Sequence, residues 1–290
     1  MFQALESGMV MGSIYALLAL AINIIYSTTG IINFAHGEIV MLGAMFALTF
    51  IVTSGIPFLL GLILTCLTVA IVAVILYYCT VRPFGDKLGN SLGWLMATLG
   101  AGIVFTNTAM LVFGTQPRAF PPIGGSELVQ IFGIKLLPHD IWVLVITLLI
   151  ALFFNVVLGK TILGNAIKAT SFSHSVTKLM GISSQKIVLT CFAMSGVIAA
   201  IAGILISPIT FVGPQMTATI GLKGFGAAII GGVGNSKGAF AGGLLLGILE
   251  ALAMTQVTPG YKDAIAFLIM IIAISIKPEG IFGVAYEKKV

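Results

Sequence analysis

Ser27-Thr28-Thr29-Gly30-Ile31-Ile32-Asn33-Phe34-Ala35-His36-Gly37-Glu38 sets amide, imidazole and carboxylate groups between two long apolar runs, with no Lys or Arg among them. An ordinary exposed connector would be shorter or more charged. Polar groups inside a bilayer are costly and tend to mark pathways, and irregular backbone at depth survives only where protein buries it or water reaches it. The stretch therefore reads as an unwound segment. Asn33 and His36, three apart, share a helix face; Gly37 permits a break, and Glu38 falls in the first turn of the following span. Each also has a structural reading. A carboxylate at Glu38 complements the positive end of its own helix dipole, and a neutral His36 ring can hydrogen-bond between helices.

The flanking sequence has the composition this reading requires. Of 290 residues, 59% are hydrophobic and only 8% charged, where a soluble domain carries about 25% charged residues. So few charges cannot solvate the surface of a globule, which excludes a soluble enzyme. A helix crosses the hydrocarbon in about 20 apolar residues. Such windows run from 8 to 26, 37 to 54, 57 to 80, 91 to 113, 140 to 158, 187 to 207, 238 to 256 and 261 to 276, with a shorter Gly-rich one from 217 to 233. The expected fold is an all-α polytopic membrane protein with eight or nine hydrophobic segments, interrupted helices and a possible internal repeat, forming one domain over 1–290. The alternating pattern of a membrane barrel is missing.

The net charge of +5 is dispersed among short loops, so no basic patch for nucleic acid exists. Cys66, Cys79 and Cys191 lie in apolar runs without metal-ligand spacing and read as small hydrophobes. Residues 1–7 carry only Glu6 before the first apolar run, so this first segment is expected to be a retained span rather than a cleaved signal. Cytoplasmic loops are enriched in Lys and Arg. If the loop 159–186 is cytoplasmic, ten of the fourteen cations face inward and the C-terminus is cytoplasmic. The side of the N-terminus depends on whether 27–54 is one passage or a broken helix with a separate entry, and the expectation is that it faces out.

Two loops are long. The outer one, 114–139, combines Pro117, Pro121, Pro122 and Gly124-Gly125 with hairpin-like alternation from Val129 to Leu137, as expected of an extracytoplasmic cap. The inner one, 159–186, places Leu163, Ile167, Val176, Leu179 and Met180 at helical spacings, as expected of short amphipathic helices on a docking surface or of a solvated connector. A second Gly-rich stretch, Gly221-Leu222-Lys223-Gly224-Phe225-Gly226 through Gly234, echoes Gly30 to Ala35 in its Gly-x-x-x-Phe-small pattern. Paired interrupted segments are a mark of transporters with duplicated architecture. Lys223 is expected to snorkel to the outer interface, and Glu250 to reach that interface or pair with Lys262. Gly8 and Gly12, Gly238 and Gly242, and Gly243 and Gly247 are small residues four apart, which lets helices approach closely. Gly159-Lys160-Thr161 lacks the glycine five positions earlier that a phosphate-binding loop requires, because Phe154 stands there. Hydrolysis therefore has to reside on another polypeptide.

Gly30 through Glu38 resembles the N-terminal signature of permeases of branched-chain amino acid ABC transporters, in their LivH-like branch. The likeness continues through Ala97-Thr98-Leu99-Gly100, Gly114 to Phe120, Gly221 to Gly243 and Lys277-Pro278-Glu279-Gly280-Ile281-Phe282-Gly283, nearly the whole chain. The resemblance implies a multi-pass subunit of a bacterial or archaeal cytoplasmic membrane, itself neither an enzyme nor a cofactor protein. It would pair with a second related permease chain, with two cytoplasmic ATPase subunits docked inside and an extracytoplasmic solute-binding protein delivering leucine, isoleucine or valine. The translocation pathway would involve Gly30, Asn33, His36, Gly37, Glu38, Gly221 and Gly224. The resemblance also makes the inner loop the ATPase-coupling region, carried here by Asn165, Lys168, Lys178, Leu179, Met180 and Gly181. The chain departs from the family there: a basic residue often stands at the place of Asn165 and acidic ones near Phe172 and Ser173. Urea or a short amide is the alternative cargo, and a proton-coupled carrier using His36 and Glu38 is the alternative class.

Overall fold

The computed structural model describes residues 2–87, 92–125, 127–131, 134–173, 177, 179–255, 259–277 and 279–283. Its centre is α1 (Phe2–Thr29), 28 residues long and continuously buried from Gly12 to Ile25. At 1.5 Å per residue it is about 42 Å long, more than enough to cross the hydrocarbon. It ends where Gly30 adopts φ +67 and donates its N–H to the Tyr26 carbonyl at 2.8 Å, a left-handed cap that costs glycine little.

After the irregular segment 30–35 the chain forms α2 (His36–Ala47), which continues as a wider helical turn over Leu48–Thr53. Then follow α3 (Phe58–Leu76), α4 (Gly93–Phe113), α5 (Pro138–Lys160), α6 (Ile162–Phe172) and α7 (Ser184–Ile206). The final group is α8 (Thr217–Gly231), α9 (Ser236–Met254) and α10 (Lys262–Ile276). Each of the nine apolar windows thus contains a helix. The count of eight or nine spans needs correction, because seven helices among the described residues are long and apolar enough to cross a membrane. The other two, α8 and α10, have 15 residues each and extend only about 22 Å. Their residues pass a hydropathy reading, but the helices stop short of the hydrocarbon thickness.

Close backbone contact assembles the core. A Cβ on Gly8 would sit 2.8 Å from Ala251 Cβ, one on Gly12 would sit 3.0 Å from Leu244 Cα, and Gly243 lies directly on Ala16. As numbering rises along α1 it falls along α9, so the two helices are antiparallel and nearly in backbone contact, as the small residues four apart foretell. Helices α7 and α8 also pack against α1, and α2 packs on both of them. By contrast α3, α4 and α5 display Leu59, Leu67, Ile103, Leu149 and Phe153 outward. Such a bare apolar surface is incompatible with water and suits lipid or another membrane chain.

The loop 114–139 is tied down at both ends. Arg118 and Val212 exchange backbone hydrogen bonds of 2.9 and 2.8 Å, tying it to the α7–α8 connection. The expected hairpin is present as antiparallel β1 (Val129–Ile131) and β2 (Ile134–Leu136), with Val129 opposite Leu136. His139 Nδ1 accepts from the Ile123 N–H at 3.4 Å, so its Nε2 carries the proton donated to the Leu205 carbonyl at 2.9 Å.

Candidate functional site: a seam between two interrupted helices

The break after α1 is built locally. Asn33 Oδ1 accepts the Ala35 N–H at 3.1 Å and the Asn33 carbonyl accepts the His36 N–H at 3.3 Å, a turn that launches α2 without a side-chain cap. Glu38 follows in the first turn, where its charge complements the helix dipole. Asn33 therefore has a structural duty. It does not exhaust the polar groups present, however. Eight buried side-chain polar atoms lack a hydrogen-bond partner among the described residues, and Asn33 Nδ2, His36 Nδ1, His36 Nε2 and Glu38 Oε2 all fall within 33–38. Unsatisfied buried polar groups cost about 1–3 kcal/mol each and are rare. Their concentration in six residues distinguishes this break from an ordinary turn.

The two segments singled out by their glycines meet. A Cβ on Gly37 would lie 2.9 Å from Gly221 Cα and 2.9 Å from the Thr217 carbonyl oxygen, and a Cβ on Gly221 would meet Gly37 Cα at 2.9 Å. Beside them the Phe34 and Phe225 rings pack with centroids 5.6 Å apart. The two phenylalanines of the Gly-x-x-x-Phe echo thus touch each other. Gly224 faces Leu18 of α1 instead, and Gly30 caps α1 with open space around it. On the other side of the break, the Glu38 carboxylate lies against Gly102 of α4, whose Cβ would be 3.1 Å from Glu38 Cδ. A larger side chain at Gly37 must force α2 away from α8. Gly37→Val, which meets main-chain atoms, is expected to cost at least about 1–3 kcal/mol, measured as a lower midpoint of thermal unfolding in detergent; an unchanged midpoint would show that the contact is loose.

Lys223 differs from its expected place. It does not snorkel but lies 4% exposed, with Nζ 2.7 Å from Glu250 Oε1 and 2.7 Å from Asp263 Oδ1. The Tyr15 ring lies 5.8 Å from the same ammonium. Lys262 does approach Glu250 Oε1, at 3.7 Å, in second place to Lys223. One buried cation thereby joins α8, α9 and α10 beside α1.

On the inner loop, Thr161 caps α6 by accepting the Gly164 N–H at 3.1 Å. Gly164, Ala166, Ile167 and Thr170 turn inward, leaving Ile162, Asn165, Lys168 and Phe172 on the open face. Leu179 is 88% and Met180 66% exposed beside Gly181, which turns at φ +76. Val176 and Lys178 lie outside the described residues. An amphipathic helix is present as expected, and its outer surface is apolar and basic. The sequence reading overlooked Ile162 and Phe172, although both follow the helical period of Asn165 and Lys168.

Two further features escaped it. Asn23 Oδ1 accepts the Gly234 N–H at 2.5 Å, tying the end of α1 to the α8–α9 turn. A cavity of about 290 Å³ opens between the outer loop and the start of α8, lined by Thr115, Thr210, Phe211, Gln215 and Thr219 among others. No cluster of three or more potential metal ligands occurs among the described residues.

Residues 4–274 match the family described as branched-chain amino acid transport system / permease component. The chain is 30% identical to the high-affinity branched-chain amino acid transport system permease protein BraD of Pseudomonas aeruginosa, covering 99% of this chain and 97% of that one. It is 29% identical to the corresponding LivH protein of Escherichia coli K12, with the same coverage. Among solved structures, PsaBC from Streptococcus pneumoniae in complex with Fab shares the fold at TM-score 0.51 and 16% identity, over 95% of this chain and 92% of that one.

Proposed function

Because the chain belongs to the family of branched-chain amino acid transport permease components, we propose that it forms the membrane passage of an ATP-driven importer for leucine, isoleucine and valine. The full-length match carries this reading. The protein is a multi-pass component of the bacterial or archaeal cytoplasmic membrane and not a catalytic enzyme. Its partners are two cytoplasmic ATPases, an extracytoplasmic solute-binding protein and a second, related permease chain.

The chemistry favours this division of labour. A zwitterionic amino acid is expensive to desolvate, so a briefly opened polar passage serves better than a deep apolar pocket. Tight selection then belongs to the soluble receptor. The seam of Asn33, His36, Gly37 and Glu38 against Gly221 is where helices can slide, because glycine faces glycine and the break is not bound by helical hydrogen bonds. Gly30 ends α1 and Gly224 seats α8 on Leu18, so both hold the helices that flank the passage.

The ATPases press on the open face of α6 and the following turn, through Asn165, Lys168, Lys178, Leu179, Met180 and Gly181. Apolar anchors dominate this contact, consistent with the loss of the family's basic residue at Asn165. Leu179→Asp or Met180→Asp puts a carboxylate into that contact and is expected to separate hydrolysis from uptake. In proteoliposomes containing the whole importer, ATP turnover should persist while labelled leucine uptake falls at least tenfold. Uptake at the unmodified rate would refute this placement.

A further inference from the structure

The cavity of about 290 Å³ lies between two connections of the chain. Thr115 and Pro117 of the loop 114–139 form one wall, and the α7–α8 connection with the start of α8 forms the other. The paired backbone hydrogen bonds between Arg118 and Val212 fasten the two walls together beside it. Such a volume holds about ten water molecules, or a solute of roughly ten non-hydrogen atoms.

The lining divides into two kinds of surface. The side chains of Thr115, Gln215 and Thr219 make no hydrogen bond among the described residues, so each hydroxyl or carboxamide keeps both a donor and an acceptor for a solute. Met216 and Ile220, 7% and 6% exposed, supply aliphatic surface, and the exposed Phe211 ring adds an apolar rim. None of the nine lining residues is charged. Arg118 follows Pro117 but donates from its guanidinium to the Phe113 carbonyl at 3.3 Å.

A solute with net charge would therefore exchange water for groups that cannot neutralise it. One that is polar throughout would leave the Met216 and Ile220 side without an apolar partner. The lining suits a small solute that is polar at one end, aliphatic at the other and without net charge. The cavity also adjoins the seam. On α8, Thr217 and Gly221 meet Gly37, while Met216 and Ile220, each one position earlier, line the cavity. At 100° per residue these are neighbouring faces of one helix. A solute lodged in the cavity touches the helix that must shift for the seam to part.

We propose that this cavity is a solute-binding site beside the seam, which accepts amphipathic solutes of no net charge and rejects charged or wholly polar ones of similar size. The site and its selectivity follow from the lining. That leucine, isoleucine and valine occupy it, and urea does not, rests on the importer reading.

The test is alkylation of Thr219→Cys by N-ethylmaleimide, followed by mass spectrometry, in membranes of cells that produce the full-length protein with its partners. Leu128→Cys, exposed on the loop 114–139 and outside the cavity, is the reference. Leucine in millimolar excess should slow alkylation at position 219 by at least about threefold, as two-thirds occupancy requires, and leave position 128 unchanged. Asparagine, lysine and glutamate should change neither. Thr115→Cys on the facing wall should show the same pattern, so the result does not hang on one substitution. Equal slowing by asparagine, lysine or glutamate, or no slowing by leucine at either cavity position, would overturn the proposal. The readout needs no ATP. Protection by leucine in a protein that fails to import it with ATP would support the site and overturn the importer reading; ATP-driven leucine uptake without protection at either position would overturn the site and leave that reading intact.

Discussion

Lys223→Met is expected to destabilise the protein more than any other single charge removal. It would strip the buried Glu250 carboxylate, 1% exposed, of its 2.7 Å partner and leave Asp263 without its own. Removing one member of a buried pair costs about 3–5 kcal/mol, because the surviving charge stays desolvated and uncompensated. For a chain of this size that corresponds to a fall of roughly 10 °C in Tm. Glu250→Gln should cost less than half as much, because Lys223 keeps Asp263 while the amide oxygen still accepts from its ammonium. Replacing both partners, Lys223→Met with Glu250→Leu, should recover much of the loss, since no buried charge is then left alone at that pair. Thermal unfolding in detergent of the unmodified protein, these variants and Glu250→Leu alone measures all of this, and a loss in the double variant equal to the sum of the Lys223→Met and Glu250→Leu losses would show that the two side chains act independently.

Gly243→Leu is expected to prevent assembly of the core. Gly243 lies on the backbone of Ala16, and Gly247 in the same way on Gly12, so no rotamer of a larger side chain has room. The obstructing atoms are main chain, and relief requires α1 and α9 to part along their length. Overpacking a core costs about 1–3 kcal/mol when side chains can yield, and here backbone must yield, so the loss should exceed that range. Gly159→Leu is the matched comparison, since a Cβ there meets nothing within 4 Å. The measurement is the fraction of membrane-inserted protein that resists added protease. A drop of at least fivefold for Gly243→Leu with little change for Gly159→Leu is the expected outcome, and equal resistance would mean that the antiparallel contact contributes little.

Much of this architecture is legible in the sequence because bilayer physics reduces it to length and polarity. The nine helical windows and the break at Gly30 to Ala35 follow from apolar runs and from polar groups that no lipid-facing connector would carry. The small residues at Gly8, Gly12, Gly243 and Gly247 announce a tight helix pair but do not say with whom. That information is tertiary. Nothing local to Lys223 indicates that Glu250, 27 positions later, and Asp263 converge on it, so snorkelling was the natural expectation from its neighbourhood. Likewise, the Gly-x-x-x-Phe echo could not reveal that Gly37 and Gly221 abut, or that Phe34 and Phe225 pack. Helices α8 and α10 were overcounted as spans because hydropathy averages over a window and does not register where a helix terminates, here at Gly231 and Ile276. At Phe172 the charge missing beside an altered family position carries no information about the exposure of the ring.

If this chain gates a passage whose energy comes from other proteins, leucine accumulation must depend on those proteins. Proteoliposomes holding the permease pair, the ATPases and a leucine-loaded receptor test it most directly through accumulation of labelled leucine with and without internal or external ATP at the ATPase face. Accumulation against a gradient is expected only when ATP reaches the ATPases and the receptor is present. Accumulation by this chain alone, driven by an imposed proton gradient, would contradict the account.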